Sequence, residues 1–163
     1  MGLPIFVGLR GMSIPELTGH LKTYRDAWRT AGHPGDGDVC LRIPVYAAPT
    51  EKAALEEPRD SITYYFARQA ELAKGAVGRE GAGPAERQQA RVDRLATLSY
   101  DQILNERVAF GSAAGLIDRL TALRDELHLG SIAAEVNSGG MLSQDQAERT
   151  LRIMTQEVMP AFK

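Results

Sequence analysis

The chain has a single cysteine, Cys40, among 163 residues. No intrachain disulfide can form, and no cysteine-based metal site of common spacing is available. Cys40 falls in an apolar segment, where a small core residue is expected rather than a reactive thiol. Histidine is scarce too: His20, His33 and His128 are the only three, and none pairs with another at metal-ligand spacing. Each reads as a surface or capping residue, His128 at a helix end where the dipole favours positive charge. No metal is expected, and no serine-centred nucleophile elbow is present.

Long apolar runs are also missing. Nothing approaches the ~20 residues of a membrane span. The segment Met1–Gly8 is apolar but too short for a signal peptide and has no basic region. Phe6 stands where a myristoylation signal needs serine or threonine. A cytoplasmic location without a membrane partner is the resulting expectation. Nor is there a basic excess: 19 Lys and Arg against 21 Asp and Glu leave a net charge of −2. That argues against a nucleic-acid partner, which requires a basic stripe or surplus.

What is present is an alternation of apolar runs and amphipathic stretches, in one domain over residues 1–163. Leu3–Val7 is a short continuous apolar run, the pattern of a buried parallel strand. A glycine loop follows, then a capping box of Ser13 and Glu16 with Pro15 in the first turn. Ile14, Leu17, Leu21, Tyr24 and Trp28 then make a helical stripe ended by Gly32. Val39–Ala48 is a second strand, with Val39, Leu41, Ile43, Val45 and Ala47 on one face and Cys40, Arg42, Pro44 and Tyr46 on the other. Pro44 lacks a ladder donor, so a bulge or an unpaired side is expected there. Thr50 caps the next helix, which Pro58 kinks.

Residues 75–84, "GAVGREGAGP", read as a flexible insertion. A helix from Ala85 to Leu98 has a thin apolar stripe. Ser99 and Gln102 form a second capping box. Gly111-Ser112 opens a strong helix with Leu116, Leu120, Leu123 and Leu127 inward, stopped by Gly130. Ser131–Val136 is the third strand, and Ser143 with Gln146 caps the last helix. The order β-α-β-α-α-α-β-α implies an α/β fold: parallel strands joined by right-handed helical crossovers. A flavodoxin-like domain is disfavoured, since it needs about five strands.

Three glycine junctions lie between a strand or apolar segment and a helix: Gly8-Leu9-Arg10-Gly11, Phe110-Gly111-Ser112 and Asn137-Ser138-Gly139-Gly140. Such loops at the carboxyl ends of parallel strands are where α/β proteins bind ligands, and glycine with a helix N-terminus suits an anion. Each is also compatible with a plain tight turn. Gly8, Arg10, Gly11, Asn137, Gly139 and Gly140 are the candidate cofactor- or substrate-binding residues. No catalytic residue is assigned. Glu135 sits in a strand and needs a partner, for which Arg42 is the candidate if their faces match.

Taken together, "GLPIFVG", "HLKTYRDAWRTAGHPGDGDVCLRIPVYAAPTEKAALEE", "AFGSAAGLIDRLTALRDELHL" and "NSGGMLSQDQAERTLRIMTQEVMPAFK" resemble the C-terminal part of the bacterial luciferase-like, flavin-dependent monooxygenases. In that family the last of these often reads Asn-Pro-Gly-Gly; Ser138 replaces the proline here. The resemblance implies a TIM-type (β/α) barrel that binds reduced FMN, or a deazaflavin, and oxidises an organic substrate with oxygen. A flavin reductase is a possible partner of such an enzyme. A full barrel needs roughly 250 residues, so the expectation is a partial barrel of about the last three β/α units. The chain would then either work within a homo-oligomer or with a separate N-terminal half-barrel, or persist as a non-catalytic, self-associating flavin-binding module.

Overall fold

A computed structural model of the chain describes residues 2–9, 11–78 and 84–163. Among the described residues four strands and seven α-helices follow one another as β1 (Ile5–Gly8), α1 (Ile14–Thr30), β2 (Val39–Ala47), α2 (Glu51–Glu56), α3 (Arg59–Lys74), α4 (Ala85–Ala96), α5 (Tyr100–Glu106), β3 (Ala109–Gly111), α6 (Ala113–Leu127), β4 (Ser131–Val136) and α7 (Gln144–Ile153). A π-helical turn, Met154–Val158, and a 3-10 turn, Met159–Phe162, prolong α7.

The three expected capping boxes are all formed: Ser13 with Glu16, Ser99 with Gln102 and Ser143 with Gln146. Pro58 does more than kink its helix. It separates α2 from α3 as the residue before Arg59, where its missing N–H costs nothing. α6 ends differently from expectation. His128, not Gly130, takes the left-handed conformation, with φ of 50°. Gly130 is needed for space instead, because a Cβ there would collide with the Asp38 carboxylate. Of the expected insertion at 75–84, Gly75–Gly78 form a turn and Pro84 precedes α4, while 79–83 lie outside the described residues.

All strand pairs are parallel, and all three involve β2. Backbone groups of a strand alternate between its two edges. Asp38 O accepts from Ile5 N–H and Ala48 N–H donates to Gly111 O, so β1 and β3 share one edge of β2. Gly130 N–H donates to Val39 O on the other edge, where β4 pairs over Cys40–Val45. Pro44 belongs to the shared edge. It falls in the gap between the β1 register, ending at Arg42, and the β3 register, starting at Val45. The unpaired side expected at this proline is therefore present, and it is where one neighbour gives way to the next.

β3 was not foreseen. The sequence reading places three strands, yet Ala109–Gly111 makes a fourth. Three residues carry no period, and the apolar Val108-Ala109-Phe110 run continues smoothly from the preceding helix, so only pairing with β2 reveals it.

One face of the sheet is fully dressed. Val39, Leu41, Ile43, Val45 and Ala47 pack with Leu17 and Leu21 of α1, Leu116, Leu120, Leu123 and Leu127 of α6, and Ile153, Met154 and Val158 near the C-terminus. Thr150 of α7 is fully buried and uses its hydroxyl both to accept from Ala47 N–H and to donate to Ala47 O, continuing the β4 edge beyond its last residue. The opposite face is covered only at its carboxyl end. Tyr46 and Ala48 pack there with Ala54 of α2, Phe110 and Leu142. Near the amino end Phe6 is 62% exposed, and Cys40 and Arg42 are half-buried.

Candidate cofactor cleft at the carboxyl ends of the strands

The three glycine junctions face the same end of the sheet, but their chemistry differs. At Gly111-Ser112 the α6 N-terminus already holds an anion. Glu51 of α2 accepts the Ser112 N–H at 2.8 Å, and its carboxylate lies where a Cβ on Gly115 would stand, 2.7 Å away. Ser112 Oγ accepts from Gly115 N–H. The dipole and donors that would attract a phosphate are answered from within.

At Asn137–Gly140 the donors are also engaged. Gly140 N–H donates to Asn137 O, Met141 N–H to Ser61 Oγ, and Leu142 N–H to Asn137 Oδ1. Ser61 Oγ donates in turn to Ser138 O. Asn137 and Gly139 adopt left-handed φ of 58° and 99°. Asparagine tolerates that region through its short polar side chain. Gly139 is required twice over, since a Cβ would also strike the Ser61 carbonyl on α3. This loop is a clasp between β4 and α3.

The Gly8–Met12 junction borders open space. A cleft of about 290 Å³ is lined by Phe6, Val7, Gly8, Gly11, Met12, Arg42 and Arg91. Arg10 lies outside the described residues. Gly11 leaves room for the Arg91 side chain, which a Cβ would displace. Arg42 points along the uncovered face and donates to Glu135 Oε1 at 2.6 Å. The anticipated Arg42–Glu135 pair thus exists, with the Glu135 side chain 17% and the Arg42 side chain 39% exposed. Tyr65 OH donates to the other Glu135 oxygen at 3.5 Å. The pair stands between cleft and clasp, since Glu135 also lines a small crevice with Asn137 and Ser138.

The cleft's loop is held from beneath. Arg107, which ends α5 and is 2% exposed, donates to Leu9 O at 3.1 Å and to Met12 O. Glu16 accepts Ser13 N–H at 2.7 Å and is gripped by Arg94 of α4 at 2.5 Å. The Ser13 backbone bond and the Arg94 hydrogen bond hold the Glu16 carboxyl down to about 2. Farther along the same end, Tyr46 OH donates to Glu57, and Arg149 Nη2 donates to both. Burial, then the bond to Glu57, pushes the Tyr46 hydroxyl up to about 12.

The structure therefore brings Gly8 and Gly11 together with Arg42 and Arg91, and sets Asn137, Gly139 and Gly140 apart against Ser61. Sequence reading missed Arg91, Arg107, Glu51 and Ser61. Each acts across a long separation and lies in a helical stretch where its charge or hydroxyl reads as ordinary surface. Among the described residues no group of three His, Cys, Asp or Glu is placed to hold a metal ion, and no helix is long and apolar enough to cross a membrane.

No family model matches the sequence, and no curated protein matches it. Solved structures do. The monooxygenase RslO1 from Streptomyces bottropensis superposes with a TM-score of 0.65 at 17% identity, over 99% of this chain and 43% of its own. The fold is shared with that part of the monooxygenase. The oxygenating constituent of 3,6-diketocamphane monooxygenase from Pseudomonas putida, a type II Baeyer-Villiger enzyme in complex with FMN, gives 0.65 at 17% identity over 96% and 41%. The coenzyme F420-dependent tetrahydromethanopterin reductase of Methanopyrus kandleri gives 0.60 at 12% over 98% and 45%. The present chain spans less than half the length of each of these. At such identities the likeness is one of fold.

Proposed function

We propose that this chain forms the C-terminal portion of a (β/α) barrel oxidoreductase of luciferase-like type, using reduced FMN or a deazaflavin to oxidise an organic substrate. The observation that carries this reading is the cleft at Gly8–Met12. It combines an exposed aromatic ring, Phe6, two guanidinium groups, Arg42 and Arg91, and glycine backbone at the carboxyl end of a parallel strand. That donor set fits a flat heteroaromatic group bearing an anionic tail. Bound there, a reduced flavin would supply the electrons for the chemistry.

The chain's own residues would do the following. Gly8 and Gly11 admit close backbone approach. Arg42 and Arg91 neutralise anionic groups, with Glu135 fixing the rotamer of Arg42. Phe6 covers one face of the ligand. Asn137, Gly139 and Gly140 support the site by clasping α3, not by contacting ligand.

The sheet supports completion by further βα units. The outer edge of β4 pairs with no strand among the described residues, and an unpaired parallel edge beside an uncovered sheet face is a template for another strand. A second copy or a separate N-terminal half-barrel would meet this need, with a flavin reductase as a further partner. A second reading is favoured by the same open edge: copies of the chain would pair through it as a self-associating flavin-binding module without turnover.

Light scattering coupled to size exclusion, with FMN and F420 fluorescence followed in separate runs, tests both. A defined oligomer that retains either cofactor and turns over with a reductase supports the enzyme. A cofactor-binding oligomer without turnover supports the module. A monomer indifferent to both cofactors overturns the two readings together.

A further inference from the structure

Arg107 is the most deeply buried cation among the described residues, and it touches no cleft. Its guanidinium sits where the end of α5 passes beneath the loop leaving β1. It reaches Leu9 O and Met12 O across 98 and 95 residues of sequence. Glu106 is the carboxylate paired with it, 3.4 Å from Nη2 and itself largely exposed, and Glu16 adds a weaker attraction from across the loop. The Nε is buried with no hydrogen-bond partner among the described residues. Burying a cation whose charge is so weakly answered is costly. Here that cost is met by two backbone carbonyls, both accepting from the one nitrogen Nη1.

The effect on the loop follows from peptide planarity. A carbonyl turned down to Arg107 turns the N–H of the same peptide the other way. Met12 O faces Arg107, and the Ser13 N–H of that peptide faces Glu16. Arg94 holds Glu16 from α4. Two arginines from neighbouring segments thus fix the loop at both ends of its last peptide; the cleft-forming Gly11 lies within the stretch they pin, and Gly8 directly precedes it.

We propose that Arg107 is the positioning residue of the cofactor cleft: by binding the Leu9 and Met12 carbonyls it holds the β1–α1 loop in its binding-competent conformation without touching the ligand. This rests on the cleft assignment above, and its test separates the two. Amide exchange measured by mass spectrometry on the ligand-free chain reads the loop directly. In R107M, which loses both carbonyl bonds, exchange over residues 8–13 rises at least about tenfold, while β2 and α6 keep their protection. R107K keeps the charge on a shorter side chain and falls between. Leu123→Ala, a core change chosen to match the drop in Tm, leaves residues 8–13 unaltered relative to the rest.

FMN titration is the second readout. Its dissociation constant rises about tenfold in R107M and partly recovers in R107K, and L123A binds as the unsubstituted chain does. Wild-type-like exchange of the loop in R107M, acceleration spread evenly over all segments, or a loosened loop with unchanged FMN affinity each overturns the proposal. If R107M does not fold, R107K carries the same comparison. If the unsubstituted chain ignores FMN, the cofactor assignment fails, and the exchange data still decide whether Arg107 positions the loop.

Discussion

Two loops of this protein have nearly the same grammar, a strand, a pair of glycines and a capped helix, and the structure uses them in opposite ways. Asn137–Gly140 is closed: its N–H groups are engaged by Asn137 and Ser61, and its glycine presses on α3. Gly8–Met12 is open, its outer side a cleft with Arg42 and Arg91 and its inner side gripped by Arg107. A glycine loop after a parallel strand is thus only an opportunity to bind. Whether it stays one depends on whether another segment of the same chain has already supplied the acceptors. Gly111-Ser112, occupied by Glu51, makes the same point at a third junction.

The contrast is most easily broken at the glycines. Gly139→Ala places a methyl against the Ser61 carbonyl at a φ that disfavours side chains, and should lower stability by about 3 kcal/mol, read as a fall in the urea midpoint. Gly11→Ala meets only the movable Arg91 side chain. It should change stability by under ~1 kcal/mol while weakening FMN binding. Equal losses of stability at the two positions would erase the distinction.

Glu51→Ala sharpens it from the other side. Losing the acceptor of Ser112 N–H should cost about 1–2 kcal/mol. It should also make Tm rise on adding phosphate, because the vacated α6 N-terminus becomes an anion site. The unsubstituted chain should lack that rise at this helix. A smaller effect is expected at Arg91→Ala: FMN affinity reduced about fivefold, within the range for one exposed charge contact, with Tm unmoved.

The smallest effect concerns pH. Folding holds the Glu16 carboxyl at about 2 against an ordinary 4.5, so its contribution is complete above 4.5 and fades as pH falls toward 2. Glu16→Gln should lower stability at neutral pH and flatten the acid limb within that window, so that the two proteins converge as pH falls toward 2. An unchanged acid limb would mean that Arg94 and Ser13 do not hold the carboxylate in solution.

Much of the framework was legible because it is written in local periods. The Val39–Ala47 alternation, the α1 and α6 stripes and the three capping boxes each need only residues within a turn or two of one another. The Arg42–Glu135 pair was readable because both lie in strands whose faces follow from alternation. Less was legible at the sites. Nothing near Gly139 announces Ser61, and nothing near Gly11 announces Arg91. β3 is too short for a period and exists because β2 offers it an edge.

The sequence by itself determined an α/β chain of parallel strands, the boundaries of its main helices and the three junctions at which a ligand could be held. Those features arise from side-chain alternation and from backbone needs that a nearby residue satisfies. Only the tertiary structure decided which junction remains open. That choice depends on donors and acceptors brought together across tens of residues, and hydrogen-bond satisfaction in a folded chain is settled by proximity in space.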